Sequence, residues 1–358
     1  MNFNLPSSDD LPISILAGTF NNKVATYKFY WFLSILELVE NGNIEIKKKD
    51  IFAKMISNSW YTVNYFHLSF GKQDLFQKTV EEILKIEDLT IDIKRDNLFS
   101  LLQNTENRLT LKELNHFDLN VPHWFLTPWF PRNINENAAI HKKRIYEFSQ
   151  KFENKCLYAL NADSIKINPI WISYLQSNAK ILKDFCYWNL TLFLQVRNPN
   201  VPDIANKLIK PANRNGLTKQ RNDYWKIVFQ ELNSIDCIFT GEKLFFEENN
   251  YAIDHFVPHA FVSHDLIWNL IPIYKTFNSS KSDKLPSMDK YFDKFFNLQK
   301  TAYEIVQKVN PKSKHIEEFL TIFPNIDNNN IFDFQRYKET IQPLITIAHN
   351  NGFSYLND

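Results

Sequence analysis

The chain has 358 residues, of which 44% are hydrophobic, so it is long enough for two domains and can fill real hydrophobic cores. With 6 glycines against 31 phenylalanines, the composition disfavours a glycine-punctuated dinucleotide-binding fold and favours helices packed through aromatic side chains. The formal net charge of +1 gives no global attraction to nucleic acid, so any phosphate binding must come from local basic patches.

Three features of the sequence bear on the compartment. The cysteines, Cys156, Cys186 and Cys237, are few and far apart, which favours a reducing compartment without structural disulfides. The chain does not open on a basic stretch followed by an apolar one, as a secretion signal would. The apolar run from Phe29 to Leu36 is far shorter than the roughly 20 residues that span a bilayer. We expect a cytoplasmic protein with no membrane contact.

The first half of the chain is predicted to be mostly helical. The segment Ala25–Val39 is apolar on nearly every helical face, and Gly42 follows it within one turn as a helix stop. Apolar residues recur at helical spacing from Ile51 to Phe66 and from Leu75 to Leu84. A further short helix is predicted over Leu109–Leu114.

The middle and the end of the chain give four more predictions. Val121–Asn133 carries three prolines among aromatic residues, which predicts an ordered, buried connection without regular structure. Turn-forming residues between apolar flanks predict a hairpin over Leu157–Ile167. Pro169–Leu194 is strongly periodic and predicts one long helix or two abutting helices. Lys290–Asp358 is predicted to be helical, with breaks near Pro311 and Pro324 and an asparagine-rich turn over Asn325–Asn330.

A basic segment lies before the last third of the chain. Between Val201 and Lys226, six basic residues stand against Asp203 and Asp223. This excess is the best candidate for a phosphate-contacting surface, and an ordinary solvated helix face explains the charge run equally well. The basic residues of the segment are Lys207, Lys210, Arg214, Lys219, Arg221 and Lys226.

The segment Cys237–Pro286 carries the residues that point to chemistry. Hydrolysis of a phosphodiester needs a cation that neutralises charge on the scissile phosphate and a base that takes a proton from water. Asp254 and Asn278 offer hard oxygen ligands suited to Mg²⁺, which keeps several waters when it binds. His255, beside the first ligand, is the candidate base. A helix is predicted to begin near Asn278, which puts Lys281 one turn later on the same face.

The local chain path decides whether these residues can meet. Adjacent residues of a strand point to opposite faces, so Asp254 and His255 are expected to share one site only where the chain turns. Pro258 favours a loop just after them. Asn269 is placed to tie that loop down from a following strand, Leu270–Ile273.

This pattern resembles the HNH endonuclease motif, with spacing similar to the HNH domain of the large RNA-guided CRISPR nucleases. The matching residues are Asp254, His255, Asn269, Asn278, Lys281 and Pro286. The resemblance implies that Asp254 and Asn278 bind Mg²⁺, or Mn²⁺ in its place. It also implies that His255 activates water, that Asn269 orders the loop holding His255, and that Lys281 contacts a phosphate.

One departure from the family concerns zinc. Many HNH proteins hold the motif with two Cys-x-x-Cys pairs on a structural zinc, and here only Cys237 remains. No structural zinc is therefore expected, and packing must hold the motif instead. For this reason we predict that four aromatic residues belong to the hydrophobic core: Phe256, Phe261, Trp268 and Phe277. His259 and His264 are predicted to be loop or DNA-facing residues.

A wider resemblance covers most of the chain. The segments Tyr27–Val39 and Phe193–Leu208 are similar to those of a group of uncharacterised bacterial proteins of about this length that end in an HNH module. Such proteins are associated with defence against phage or with restriction, an inference by association only.

Together these features predict an α+β protein: a helical N-terminal region of unknown role over 1–221, a ββα-metal HNH module over 222–308 and a helical C-terminal extension over 309–358. The predicted activity is metal-dependent cleavage or nicking of DNA, with duplex DNA as the expected substrate. The HNH resemblance implies that hydrolysis leaves a 5′-phosphate and a 3′-hydroxyl. Lys275, Lys281, Lys284 and the basic segment would track phosphates more than bases.

Two alternatives stay open from the sequence. One is a DNA or partner sensor whose nuclease is dormant until triggered, with a protein partner or a second copy of the chain involved. The other is an RNA-directed nuclease, and competition between single-stranded RNA and duplex DNA would distinguish it from a DNA endonuclease.

Overall fold

A computed structural model describes residues 5–21, 24–209, 216–323 and 332–356. The chain divides into two units: residues 1–199 with 204–211 form unit 1, and residues 200–203 with 212–358 form unit 2. Helices dominate both units and each holds small antiparallel sheets, so the predicted α+β class is confirmed. Within the described ranges no helix combines the length and the apolarity needed to cross a membrane.

Unit 1 is a helical assembly with one three-stranded sheet. Its helices are α1 (Ile13–Gly18), α2 (Tyr27–Glu40), α3 (Lys48–Asn64), α4 (Leu75–Ile86), α5 (Arg95–Asn104), α6 (Arg108–Asn115), α7 (Val121–Phe125), α8 (Ala138–Ser149), α9 (Pro169–Ser177), α10 (Ala179–Arg197) and α11 (Ile204–Ile209). Its strands are β1 (Glu45–Lys47), β2 (Tyr158–Leu160) and β3 (Ser164–Ile167), in the order β1-β3-β2.

Helix α2 forms the centre of unit 1, as its all-round apolar sequence predicts. Trp31 is fully buried, and its indole N–H donates to the hydroxyl of Tyr158 over 3.1 Å. The Tyr158 hydroxyl in turn donates to the carbonyl oxygen of Pro122 over 2.7 Å. This chain of hydrogen bonds satisfies two aromatic polar groups inside a core that is otherwise apolar.

The predicted elements of unit 1 are mostly confirmed. The hairpin forms as β2 and β3, and Pro169–Arg197 forms two abutting helices. The prediction that Val121–Asn133 lacks regular structure is wrong over Val121–Phe125, which is helical. Pro122 fits there because the first turn of a helix leaves its N–H groups unbonded anyway.

Unit 2 is built from short strands framed by helices. Its strands are β4 (Ile235–Asp236), β5 (Lys243–Leu244), β6 (Tyr251–His255) and β7 (Leu270–Tyr274). Its helices are α12 (Thr218–Gln220), continued by a π-helical turn (Arg221–Trp225) into α13 (Lys226–Leu232), then α14 (His259–Val262), α15 (Lys275–Lys281), α16 (Met288–Val309), α17 (Lys314–Glu318) and α18 (Phe334–Asn350).

Two C-terminal helices, α16 and α18, contact the β6–β7 region. Phe256, directly after β6, stacks on Phe295 of α16 with ring centroids 4.0 Å apart. Gln299 of α16 is fully buried and donates to the carbonyl oxygen of Leu270 over 2.7 Å. Tyr337 of α18 donates its hydroxyl to the carbonyl oxygen of Trp268. The C-terminal extension is thus part of the support of the β6–β7 pair.

Candidate active site

Two paired strands and the helix after them carry the residues of interest. β6 and β7 pair antiparallel, with Asp254 opposite Ile271 and His255 opposite Leu270. Helix α15 follows β7 directly and packs on both strands. This strand–strand–helix order is the ββα arrangement that the motif predicts.

Asp254 and Lys281 meet inside this arrangement. The Lys281 ammonium lies 2.7 Å from Oδ2 of Asp254 and donates a second bond of 2.8 Å to the carbonyl oxygen of His255. The side chains of Asp254 and Lys281 are 2% and 1% exposed. In this arrangement the buried Lys281 ammonium is engaged by the buried Asp254 carboxylate, and its role as a phosphate contact stays a prediction.

Asn278 lies on the same helix as Lys281, one turn earlier. The helix begins at Lys275, three residues before the predicted start, and Asn278 is half-buried within it. Side chains three residues apart share a helix face, so Asn278 lies on the face from which Lys281 reaches Asp254. One carboxylate and one amide therefore stand on the two elements that frame the candidate site.

These donors fit a hard divalent cation. Asp254 is a buried carboxylate that already faces a positive charge, and Mg²⁺ is commonly held by one or two protein oxygens together with waters and substrate phosphates. No cluster of three or more His, Cys, Asp or Glu side chains capable of holding a metal occurs in the described part of the chain. The Asp254 and Asn278 pair is thus the candidate ligand set.

The His255 ring is fixed from one side. Its Nε2 lies 3.0 Å from Oδ1 of Asp265 and 3.1 Å from the carbonyl oxygen of His264. Both partners can only accept, so Nε2 carries the proton and donates. The other ring nitrogen, Nδ1, is buried and has no hydrogen-bond partner within the described ranges. In the neutral ring Nδ1 is therefore the atom with a free lone pair for a proton.

Asn269 closes the loop that separates the two strands. Its side-chain oxygen accepts from the Val257 N–H and its side-chain N–H₂ donates to the Val257 carbonyl oxygen, both over 2.8 Å. Its backbone carbonyl accepts from the Phe256 N–H over 2.7 Å. The amide is fully buried. In the structure Asn269 ends a 3₁₀ turn, Ile267–Asn269, immediately before β7, and β7 begins at Leu270, as predicted.

Sequence reasoning missed Asp265, which comes from the same loop. Its hydrogen bond from His255 lowers the pKa of the Asp265 carboxyl below its ordinary value, against a smaller opposing effect of burial. His259 Nε2 also lies 3.9 Å from Oδ1 of Asp265, and the His255 and His259 rings are 5.1 Å apart. The sequence shows only that a carboxylate follows the candidate base after ten residues. Whether the two side chains meet depends on the path of the loop, which hydrophobic periodicity does not predict.

Cys237, the one cysteine left of the zinc pattern, lies near a set of packed aromatic residues in sequence. Cys237 is buried, and its Sγ accepts from the Tyr274 N–H over 3.4 Å. Phe239 stacks on the half-buried Phe277 at 5.2 Å and contacts the Tyr291 ring at 4.8 Å. Phe256, Phe261 and Trp268 are buried, so three of the four aromatic residues predicted as core are core.

The basic residues predicted to contact nucleic acid differ in their burial. Lys207 belongs to unit 1 and is 1% exposed, so its ammonium is shielded from solvent in this structure, and its role as a nucleic-acid contact stays a prediction. Lys210 and Arg214 lie outside the described residues. In unit 2, Lys219 is exposed, and Arg221 donates to Asn249 over 2.8 Å and stacks on the Tyr251 ring. Lys275 and Lys284 are exposed.

Comparison with known proteins agrees with this geometry. Comparison with curated proteins and with solved structures gives no match. A family model described as HNH endonuclease matches residues 237–287, the stretch that holds β5, β6, β7 and α15. Nucleases of this kind act on nucleic acid and generally use a divalent metal ion. Residues 237–287 therefore carry an HNH endonuclease module, which follows a mostly helical N-terminal region.

Proposed function

We propose that the protein is a Mg²⁺-dependent DNA endonuclease with His255 as the general base. The observation that carries the proposal is the His255 ring, whose Nε2 is held by two acceptors while Nδ1 is left without a partner within the described ranges. Asp254 and Asn278 are the proposed metal ligands, and Asn269 holds the loop from which His255 is supported. Mn²⁺ is expected to replace Mg²⁺.

The proposed reaction combines these positions with the product ends that the family resemblance implies. Nδ1 of His255 takes a proton from a water, the water oxygen attacks the phosphorus, and the bond from phosphorus to the 3′ oxygen breaks. The departing 3′ oxygen takes a proton from solvent, and His255 returns its proton to solvent, which leaves a 5′-phosphate and a 3′-hydroxyl. A bound divalent ion would neutralise charge on the phosphate and on the departing oxygen. Asn269 keeps the His255 loop in place by pairing with both backbone groups of Val257.

The proposals for the substrate and for the biological role do not rest on the geometry of the site. Duplex DNA as substrate and a role in defence against phage or in restriction rest on family resemblance. Backbone contacts by the exposed Lys219, Lys275 and Lys284 would give weak sequence preference, because phosphate contacts carry no base information.

One plasmid-cleavage assay tests the proposal. Full-length protein is incubated with supercoiled plasmid in Mg²⁺, in Mn²⁺ and in chelator, and the ends are analysed for 5′-phosphate. Nicked or linear products with metal and none with chelator are expected. Cleavage that persists in chelator, or that persists in a His255→Ala protein, would contradict it. A parallel reaction with single-stranded RNA as competitor separates DNA from RNA as the preferred substrate.

A second candidate function, a nuclease that is dormant until triggered, is favoured by burial. Asp254, His255 and Lys281 are each at most 2% exposed, and the Asp254 carboxylate is engaged by Lys281. In this second candidate, substrate and metal reach these atoms only after a trigger opens the site. Protein that binds DNA without cutting it in Mg²⁺, and that begins to cut when Lys281 is replaced, would support dormancy.

A further inference from the structure

The loop between β6 and β7 brings a second charged residue to the candidate base. After α14 the chain turns at Ser263, whose φ of 59° is left-handed, and so brings the His264 carbonyl oxygen and the Asp265 carboxylate to the same side of His255. Both lie within 3.1 Å of Nε2. A backbone carbonyl alone would satisfy Nε2, so the carboxylate is an additional partner that needs its own explanation.

The loop that carries Asp265 is held at several points. The backbone carbonyl oxygen of Asp265 accepts a hydrogen bond from the Gln220 side chain over 3.2 Å. Further along, the Ile267 N–H donates to the carboxylate of Glu318, and Asn269 closes the base of the loop on Val257. Because the backbone on both sides of Asp265 is anchored, its carboxylate is held at a fixed position against His255.

We propose that Asp265 is a positioning residue for His255, an inference that rests on the proposed function. Its carboxylate fixes the imidazole plane and keeps the proton on Nε2, which leaves Nδ1 as the proton acceptor. An acceptor that orients a working imidazole in this way acts through the ring and touches neither water nor phosphate. The wild-type hydrogen bond to an ionised acceptor is also stronger than one to a neutral carbonyl.

Two substitutions separate positioning from general stability. Asp265→Ala removes the acceptor, whereas Asp265→Asn keeps an oxygen that can accept from Nε2 and removes the charge. Glu304→Ala, which removes an exposed carboxylate on α16, is the matched control. For each protein kcat and KM for plasmid cleavage are measured at saturating Mg²⁺, together with Mg²⁺ affinity by calorimetry.

We expect Asp265→Ala to lower kcat by about 10–100-fold, the range found for supporting residues of this kind. KM and Mg²⁺ affinity should change little, Asp265→Asn should regain part of kcat, and Glu304→Ala should match wild type. An Asp265→Ala protein with wild-type kcat would overturn the proposal. Loss of Mg²⁺ affinity in parallel with kcat would also overturn it, because the residue would then act on the whole site.

A spectroscopic readout keeps the test independent of cleavage. In full-length protein with ¹⁵N-labelled histidine, the Nε2 proton of His255 should give a slowly exchanging resonance that His255→Ala lacks. Asp265→Ala should speed its exchange several-fold, and Asp265→Asn less. If the wild-type protein fails to cut DNA, the proposed function is contradicted. The exchange rates in the Asp265 variants still show whether Asp265 positions His255. An unchanged resonance in Asp265→Ala would overturn the positioning even if wild type cuts DNA.

Discussion

The ammonium of Lys281 lies 2.7 Å from the carboxylate of Asp254, and both side chains are almost fully excluded from solvent. A cation therefore stands on the residue proposed as the first metal ligand. Helix α15 provides this cation and, one turn earlier, the proposed second ligand, Asn278. Three consequences of this arrangement can be measured: stability, metal affinity and rate.

Removing one partner of the buried pair should be costly, and removing both should cost less. Lys281→Met leaves the buried Asp254 carboxylate without its cation, and Asp254→Leu leaves the buried Lys281 ammonium without its anion. Either change typically lowers the free energy of unfolding by about 3–5 kcal/mol. The double variant replaces both by apolar groups and should lose clearly less than the sum of the two single variants. Hydrogen exchange of peptides covering β6, β7 and α15 reports the local unfolding free energy. Additive losses would show that the pair is not coupled.

Mg²⁺ should offset the loss of Lys281. In the Lys281→Met protein the Asp254 carboxylate no longer faces an ammonium, so a divalent ion can take over its charge. The unfolding midpoint of this variant should rise more on addition of Mg²⁺ than that of wild type, because a ligand that binds only the folded state stabilises it. An equal rise in both proteins would show that Lys281 and the metal do not share Asp254.

The Asn269 clamp gives a separate stability prediction. Asn269→Ala leaves the buried N–H and carbonyl of Val257 without their partners, which should cost about 1–3 kcal/mol. The loss should appear in hydrogen exchange of the β6–β7 loop. Asn297→Ala, at an exposed position of α16, is the matched control and should change it little. Equal exchange in the Asn269 variant and wild type would contradict the clamp.

The pH dependence of stability follows from the lowered pKa of Asp265. A carboxyl whose folded pKa lies below its unfolded value of about 3.9 contributes stability above that pH and loses it as the pH falls through the folded pKa. Asp265→Asn should therefore be less stable than wild type at neutral pH, with a gap that closes below about pH 4. Urea unfolding from neutral to acidic pH measures it, and a gap that widens with acid would reverse the assigned sign.

Exposed lysines should carry the DNA contact. Replacing Lys219, Lys275 and Lys284 by Gln should flatten the salt dependence of DNA binding by about 0.9 in log–log slope for each phosphate that is no longer neutralised. The control triple removes the same charge from exposed positions elsewhere in unit 2, Lys300, Lys308 and Lys312. An equal effect of both triples would assign the contribution to overall charge instead of to specific contacts.

The linear motif predicted the order of the elements that frame the site, because its residue types at this spacing imply particular local structures. A buried carboxylate, an imidazole and an amide at fixed spacing imply a strand, a loop and a helix, and β6, the Asn269 clamp and α15 have that order. The start of α15 was misplaced by three residues because Tyr274 and Lys275 carry no capping signal.

The supporting contacts could not be predicted, since they join residues distant in sequence. Asp265 reaches His255 only through the left-handed turn at Ser263, and Gln299 reaches β7 from a helix nearly thirty residues later. Periodicity identifies which residues are buried and leaves open which ones they meet. For the same reason the charge run does not reveal that Lys207 is buried, because charge in sequence does not report exposure.

The rate of plasmid cleavage by His255→Ala tests the central claim most directly. The substitution removes the base and leaves the oxygens of Asp254 and Asn278, so at saturating Mg²⁺ the rate should fall by about 10²–10⁴ while Mg²⁺ and DNA affinity stay near wild type. Asp254→Ala and Asn278→Ala should instead regain part of their rate as Mg²⁺ is raised, and His116→Ala, at an exposed position of unit 1, should cut normally. A His255→Ala protein that cuts plasmid at the wild-type rate would contradict the account.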